Sequence, residues 1–361
     1  MEIVHFAPFG PNRAGIYEAA RDMVRADTQR GHFTNFVDVG PVRNDGVQEK
    51  AQVGVVDDRG GFALVTMPPH WADTADLLVY HTGVPDGWVV RNEAPIITVI
   101  HGRPLAVFRP EQNGAPSRNG YTLLHSLGQW PRLKKAVYFW PEFTPYWRNI
   151  LPEEKLAPID FPPIDLKRFT PDGPVHEFSQ EHRGRWNALI ADAWREDVDI
   201  FEIANGAIEA VKRRPGLKIH CYSVETVAEP VGHVAPCWQV LLDALAYWGG
   251  CGELNGRQPG LEQVYRAVDF VMSPNRIVTR IIGESLASGV PVLAPRGCKV
   301  TPYQADIFDP EEVGVVAAQI IHDLEEDREG VKARCRQTAE RLFSLERYGE
   351  AIEAVYQEVA G

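Results

Sequence analysis

The chain has 361 residues, a net charge of −12, 44% hydrophobic and 24% charged residues, and five cysteines. This is length enough for two globular domains. No run of about 18 apolar residues suggests a membrane-spanning helix, and the acidic balance disfavours non-specific binding to nucleic acid unless bases gather on one face. The cysteines are odd in number and have no CxxC spacing, so reduced thiols in a cytoplasmic compartment are expected, and no metal site.

EIVHFA, residues 2–7, reads as a buried first strand rather than a leader, with no basic residue ahead of it. The loop PFGPNRAG, residues 8–15, carries Gly10, Asn12, Arg13 and Gly15 and is placed to meet an acceptor or an anion. It lacks the G-x-G-x-x-G spacing, which disfavours a dinucleotide-binding dehydrogenase. A helix over 16–30 and a strand over 33–39 follow. DLLVY (76–80) and IITVI (96–100) are short apolar runs of the kind central parallel strands show. Each ends in a polar tip: His81 after the first, and His101-Gly102-Arg103-Pro104 after the second. Ligands of open α/β sheets sit beyond such carboxyl ends. Residues 119–152 mix aromatics (Tyr121, Trp130, Tyr138, Phe139, Trp140, Phe143, Tyr146, Trp147) with Arg132, Lys134, Lys135 and Arg148. Such a mixture can stack sugars or bases, or it can be core interleaved with solvated positions.

The proline-rich stretch 156–174, LAPIDFPPIDLKRFTPDGP, reads as a stiff interdomain linker. Beyond it strands at 187–191, 217–222 and 270–272 alternate with a helix over 198–213. A last helix over 345–359 could pack against the first domain. The alternation predicts α/β layers with parallel sheets.

SPNRIVTRIIGESLASGVPVLAP, residues 273–295, is the most informative stretch. The spacing predicts a helix over 277–288, ended by Gly289 with Pro291 beyond, and then a strand over 290–294. Val278, Ile281, Ile282 and Ser285 would share the core face, with Arg276, Arg280 and Glu284 at i, i+4 and i+8 on another. One reading is an exposed Arg280–Glu284 pair worth a few tenths of a kcal/mol. The other is an anion site: a helix N-terminus after a strand, with arginines as donors and Glu284 as a hydroxyl acceptor.

ESLASGVPVLAP (284–295) resembles the E-(A/S)-x-A-x-G-x-P-V segment of the retaining glycosyltransferases of GT-B fold. YRAVDFVMSP (265–274), PPIDLKRFTP (162–171) and residues 8–32 resemble that family's preceding segment, its hinge and its first loop and helix, in the family's order. The resemblance implies two Rossmann-like domains facing across a cleft: an acceptor-side domain over 1–168, a nucleotide-sugar domain over 169–344, and a C-terminal helix over 345–361 returning to the first. Asp165 and Phe169 match the hinge. Departures exist as well. Arg276 stands where many members have a first glutamate, and Ile277-Val278-Thr279 replaces their Gly-Phe-Gly.

What the resemblance implies is transfer of a sugar, with retention and without a metal, from a nucleoside-diphosphate sugar, UDP or GDP, as co-substrate. No permanently bound cofactor is expected. His101, Arg195, Arg280 and Glu284 would be catalytic. Gly15, Arg276, Thr279, Arg280, Glu284, Gly252 and Leu261 would hold the nucleotide sugar, with Gly252 and Leu261 flanking the base in CGELNGRQPGL (251–261). Gly10, Asn12, Arg13, His81 and Arg103 would meet the acceptor. That acceptor would be a glycan or lipid-linked saccharide, with hydroxymethylated bases of DNA as an alternative. An epimerase or hydrolase using His81, His101 and Glu142, or a non-catalytic nucleotide-sugar-binding protein, would share the fold.

Overall fold

The computed structural model describes residues 1–7, 14–38, 52–56, 62–66, 75–81, 93–102, 128–192, 199–223, 236–255 and 260–360. The chain forms two compact units, Met1–Pro163 with Phe343–Gly361, and Ile164–Leu342.

In the first unit an eight-stranded sheet runs in the order β4-β3-β2-β1-β5-β6-β7-β8. Its strands are β1 (Glu2–Ala7), β2 (Phe33–Asp38), β3 (Gln52–Val56), β4 (Phe62–Thr66), β5 (Leu77–His81), β6 (Ile96–Ile100), β7 (Leu133–Phe139) and β8 (Leu156–Ile159). The six strands from β2 to β8 across the sheet are parallel, and β3 and β4 add an antiparallel edge. Every residue of β5 and β6 is buried, as expected for central parallel strands covered on both faces. Helix α1 (Ala14–Gln29) buries Ala19, Ala20, Met23, Val24 and Asp27, a stripe at helical spacing. It packs on α8 (Leu345–Ala360), so the C-terminal helix belongs to the first unit. Gly349 permits the close approach, since a Cβ there would stand 3.0 Å from Arg30 Cδ.

The aromatic-rich segment is mainly core. Strand β7 and the short helix α2 (Thr144–Trp147) bury Tyr138, Phe139, Trp140 and Trp147. Tyr138 and Trp147 join Ile100, Ile150 and Leu151 in one apolar cluster. Arg132 donates to the Ala94 carbonyl and Lys135 to that of Glu154. Tyr146 is exposed, and Tyr121 lies outside the described residues. Core packing therefore accounts for Tyr138, Phe139, Trp140 and Trp147.

In the second unit a six-stranded parallel sheet runs β11-β10-β9-β12-β13-β14. Its strands are β9 (Trp186–Ile190), β10 (Leu217–Cys221), β11 (Cys251–Leu254), β12 (Phe270–Met272), β13 (Val292–Pro295) and β14 (Gln304–Ala305). Counted within the unit, the order is 3-2-1-4-5-6, that of doubly wound nucleotide-binding folds. The helices are α3 (Ile200–Arg213), α4 (Pro236–Tyr247), α5 (Leu261–Ala267), α6 (Arg280–Ala287) and α7 (Pro310–Phe343), the last broken at Asp327. No helix among the described residues is long and apolar enough to cross a membrane.

Candidate functional site

In each sheet the strand order reverses beside the first strand of its unit, and the crevice outside the carboxyl ends there is where such folds bind ligands. Both reversal points hold buried polar groups.

In the second unit the reversal lies between β9 and β12. Asp192, just past β9, accepts hydrogen bonds from Ser273 Oγ at 3.2 Å and from Asn275 Nδ2, both just past β12. All three are buried. Residues 273–279, which carry this network, are non-helical, with a bend at 276–277, so α6 begins at Arg280, three residues later than the spacing predicts. Pro274 and the side-chain bonds to Asp192 favour that non-helical path over another helical turn. Ile277 and Val278 are buried from outside the helix.

Three consequences follow for the residues singled out by sequence. Arg276 is not on the face of Arg280 and Glu284. It is exposed, lies 5.3 Å over the Phe308 ring and sits 3.9 Å from Asp199. Arg280 and Glu284 do pair, but not at a solvated edge. Arg280 Nε and Nη2 approach Glu284 Oε1 at 3.0 and 2.9 Å, with the two side chains only 11% and 8% exposed. Tyr265 donates its hydroxyl to Glu284 Oε2 at 3.3 Å. Burial first, and the neighbouring Glu284 and Asp192 next, hold that phenol well above its ordinary pKa, so it remains a donor. Thr279 precedes α6 with an extended backbone and makes no capping hydrogen bond. Its Oγ1 is buried with no hydrogen-bond partner among the described residues. A helix N-terminus without a side-chain cap keeps amides available to an anion.

Gly289 ends α6 as expected. At φ 76° it donates to Leu286 O while Val290 donates to Ser285 O, the paired bonds of a Schellman stop. Gly252 lies within β11, and its missing side chain is explained by packing: a Cβ would stand 2.8 Å from His220 Nδ1. Leu261 begins α5 and is half-buried. Asp165 Oδ1 accepts from the amides of Lys167 and Arg168, and Phe169 is buried edge-on against Tyr265. These are turn-forming and packing roles.

In the first unit the reversal lies between β1 and β5. His81 ends β5 and is fully buried, and His101 follows β6 half-buried. Sequence places them at neighbouring strand tips. The structure bonds them directly, His81 Nδ1 to His101 Nε2 at 2.8 Å. The other ring nitrogen of His81 meets His5 Nδ1 at 2.9 Å, and His5 Nε2 meets Asp27 Oδ2 at 2.8 Å. Burial, reinforced by His101 and His5, keeps the His81 pKa well below its ordinary value, so His81 is neutral. Sequence reading missed His5, Asp27, Asp192 and Tyr265. A histidine within an apolar strand was the only local signal. Gly15 lies in the first turn of α1. Gly10, Asn12, Arg13, Arg103 and Arg195 lie outside the described residues, and Glu142, in the turn before α2, is exposed.

No family model matches the chain, and no curated protein matches it. Solved structures do. A sucrose-phosphate synthase from Thermosynechococcus elongatus superposes with a TM-score of 0.68 at 13% identity over 99% of each chain. A glycosyltransferase from Rickettsia africae does so at 0.65 and 12%, over 99% of this chain and 98% of that one. Anabaena HepE, solved in complex with UDP, does so at 0.63 and 11%, over 99% and 100%. At such identities the likeness is one of fold. The chain has the two-domain α/β GT-B fold of these glycosyltransferase structures.

Proposed function

We propose that the chain transfers a sugar from a nucleoside-diphosphate sugar to a hydroxyl acceptor, with retention of anomeric configuration. The observation that carries the reading is the end of β12 running into α6. There an uncapped helix N-terminus, a Thr279 Oγ1 with no partner among the described residues, and the buried Arg280–Glu284–Tyr265 group stand at the strand-order reversal. In this reading the α6 amides, Thr279 and Arg280 neutralise charge on the leaving diphosphate. Arg195, five residues after β9 in sequence, joins them. Glu284 accepts from ribose hydroxyls, and Tyr265 and Arg280 orient it. With these groups meeting the diphosphate the reading asks for no metal. His101 contacts the reacting sugar. UDP or GDP is the proposed nucleotide and a glycan or lipid-linked saccharide the proposed acceptor. Support for a nucleotide-sugar donor comes from the GT-B fold and from UDP in the HepE structure.

The test is a thermal-shift panel of UDP, GDP, ADP, TDP and CMP. One nucleoside diphosphate should raise the melting temperature, with about 2.7 kcal/mol of stabilisation at a hundredfold excess over its Kd. Glu284→Gln should abolish the shift while the protein stays folded, because the amide preserves the shape of the site. A folded protein that responds to none of the five nucleotides would sink the reading. Binding of a nucleotide sugar with neither transfer nor hydrolysis would make the chain a binding protein instead.

A further inference from the structure

His5, His81 and His101 of the first unit form a continuous array that packing alone does not require. His5 pairs with Val79 across β1 and β5, and His81 pairs with Val99 across β5 and β6. His81 is two residues beyond Val79, and His101 two beyond Val99. With a side-chain period of two, all three imidazoles share one face of the sheet and step diagonally towards its carboxyl edge. Their rings lie nearly parallel, 25° and 28° apart, with centroids at 5.3 and 5.1 Å. Hydrogen bonds of 2.8, 2.9 and 2.8 Å join Asp27, His5, His81 and His101 in sequence.

The polarity of the array follows from its inner end. Asp27 Oδ2 accepts from Tyr356 Oη at 2.9 Å and from His5 Nε2. His5 therefore carries its proton on Nε2 and accepts at Nδ1. His81 must donate from Nε2 to His5 and accept at Nδ1. His101 must donate from Nε2 to His81, which makes Nδ1 its basic nitrogen. At the inner end Asp27 is fully buried, and its Oδ1 has no hydrogen-bond partner among the described residues.

Titratable groups from several elements of the described residues face the array. His5 from β1 and Tyr356 from α8 touch Asp27, and Tyr348 of α8 also faces it. Glu353, one turn from Tyr356, is held by His32 and stands 4.0 Å from Arg30. His81 meets His5 and His101, and His101 packs on Phe139.

We infer that Asp27, His5 and His81 form a proton relay serving His101. A proton bound at His101 Nδ1 releases the Nε2 proton to His81 Nδ1. His81 releases its Nε2 proton to His5 Nδ1, and His5 releases its own to Asp27 Oδ2. One proton is taken up, Asp27 becomes a neutral carboxylic acid, and every imidazole ends neutral as its other tautomer. His5, His81 and Asp27 are positioning residues. The relay rests on the proposed transferase function only in making His101 the group that meets substrate.

The test is a long-range proton–nitrogen NMR titration of the full-length protein, with each histidine assigned by single substitution. At neutral pH all three histidines should be neutral with the proton on Nε2. Acidification from about pH 8 to about pH 5, the range of histidine titration, should invert all three tautomers in one joint step with no imidazolium formed. Asp27→Asn should lose the joint step and show an ordinary imidazolium at His101. If His101 alone becomes an imidazolium in the wild-type protein while His5 and His81 keep Nε2–H, the relay is overturned. The same holds if Asp27→Asn folds and keeps the joint step. Should that variant fail to fold, the wild-type titration decides by itself. Nucleotide binding does not enter this readout. A transferase with a lone imidazolium at His101 would keep the proposed function and lose the relay, and a chain that binds no nucleotide but shows the joint step would do the reverse.

Discussion

At the scale of single residues, Glu284 shows how burial changes the meaning of a motif. At i, i+4 with Arg280 it has the spacing of a surface ion pair worth a few tenths of a kcal/mol. In the folded chain both partners are nearly enclosed and Tyr265 completes the group. Arg280→Ala would remove the cation that faces a buried carboxylate. It should cost about 3 kcal/mol, read as a lowered midpoint in urea unfolding of the free protein. An unchanged midpoint would show that the pair is solvated after all. The spacing was legible in sequence. The burial was not, because it depends on Tyr265, nineteen residues earlier, reaching the same carboxylate.

At the scale of elements, α6 shows which helix boundary sequence can read. Its end was legible, because a glycine followed closely by a proline is a local stop signal. Its start was not. Ile277 and Val278 continue the apolar periodicity of Ile281 and Ile282, yet a buried Asp192–Ser273–Asn275 network beyond the ends of two strands keeps the preceding chain out of the helix. Gly289→Ala tests the stop. A Cβ at φ 76°, 3.1 Å from Pro171 Cγ, should cost about 1–2 kcal/mol, measured by urea unfolding against Gly31→Ala. Gly31 also has a positive φ, but a Cβ there would meet nothing within 4 Å. Equal losses would mean that backbone conformation alone matters and the contact with Pro171 does not.

At the scale of the whole molecule, the first unit is closed by the last helix. Helix α8 supplies Tyr356 to Asp27 and Glu353 to His32, and packs along α1. Removing residues 345–361 would uncover α1 at Ala26 and leave Asp27 with one donor fewer. The truncated chain should lose the cooperative unfolding of the first unit while the second, Ile164–Leu342, keeps its own transition. Calorimetry on the full and truncated chains would read this. Two intact transitions after truncation would show that α8 is dispensable.

Sequence by itself determined the α/β alternation, the buried runs of β1, β5 and β6, the polar tips at His81 and His101, and the glycine stop after α6. Each is written in local spacing: period two for strands, 3.6 for helices, and glycine or proline where the chain turns. Tertiary structure decided the rest. It set the strand order that brings His5, His81 and His101 within hydrogen-bonding distance across three strands, and it buried β7 with most of its aromatics. It also brought Asp192 to Ser273 and Tyr265 to Glu284. These pairings join residues many positions apart, and a single chain carries no local periodicity that marks which distant partners will meet.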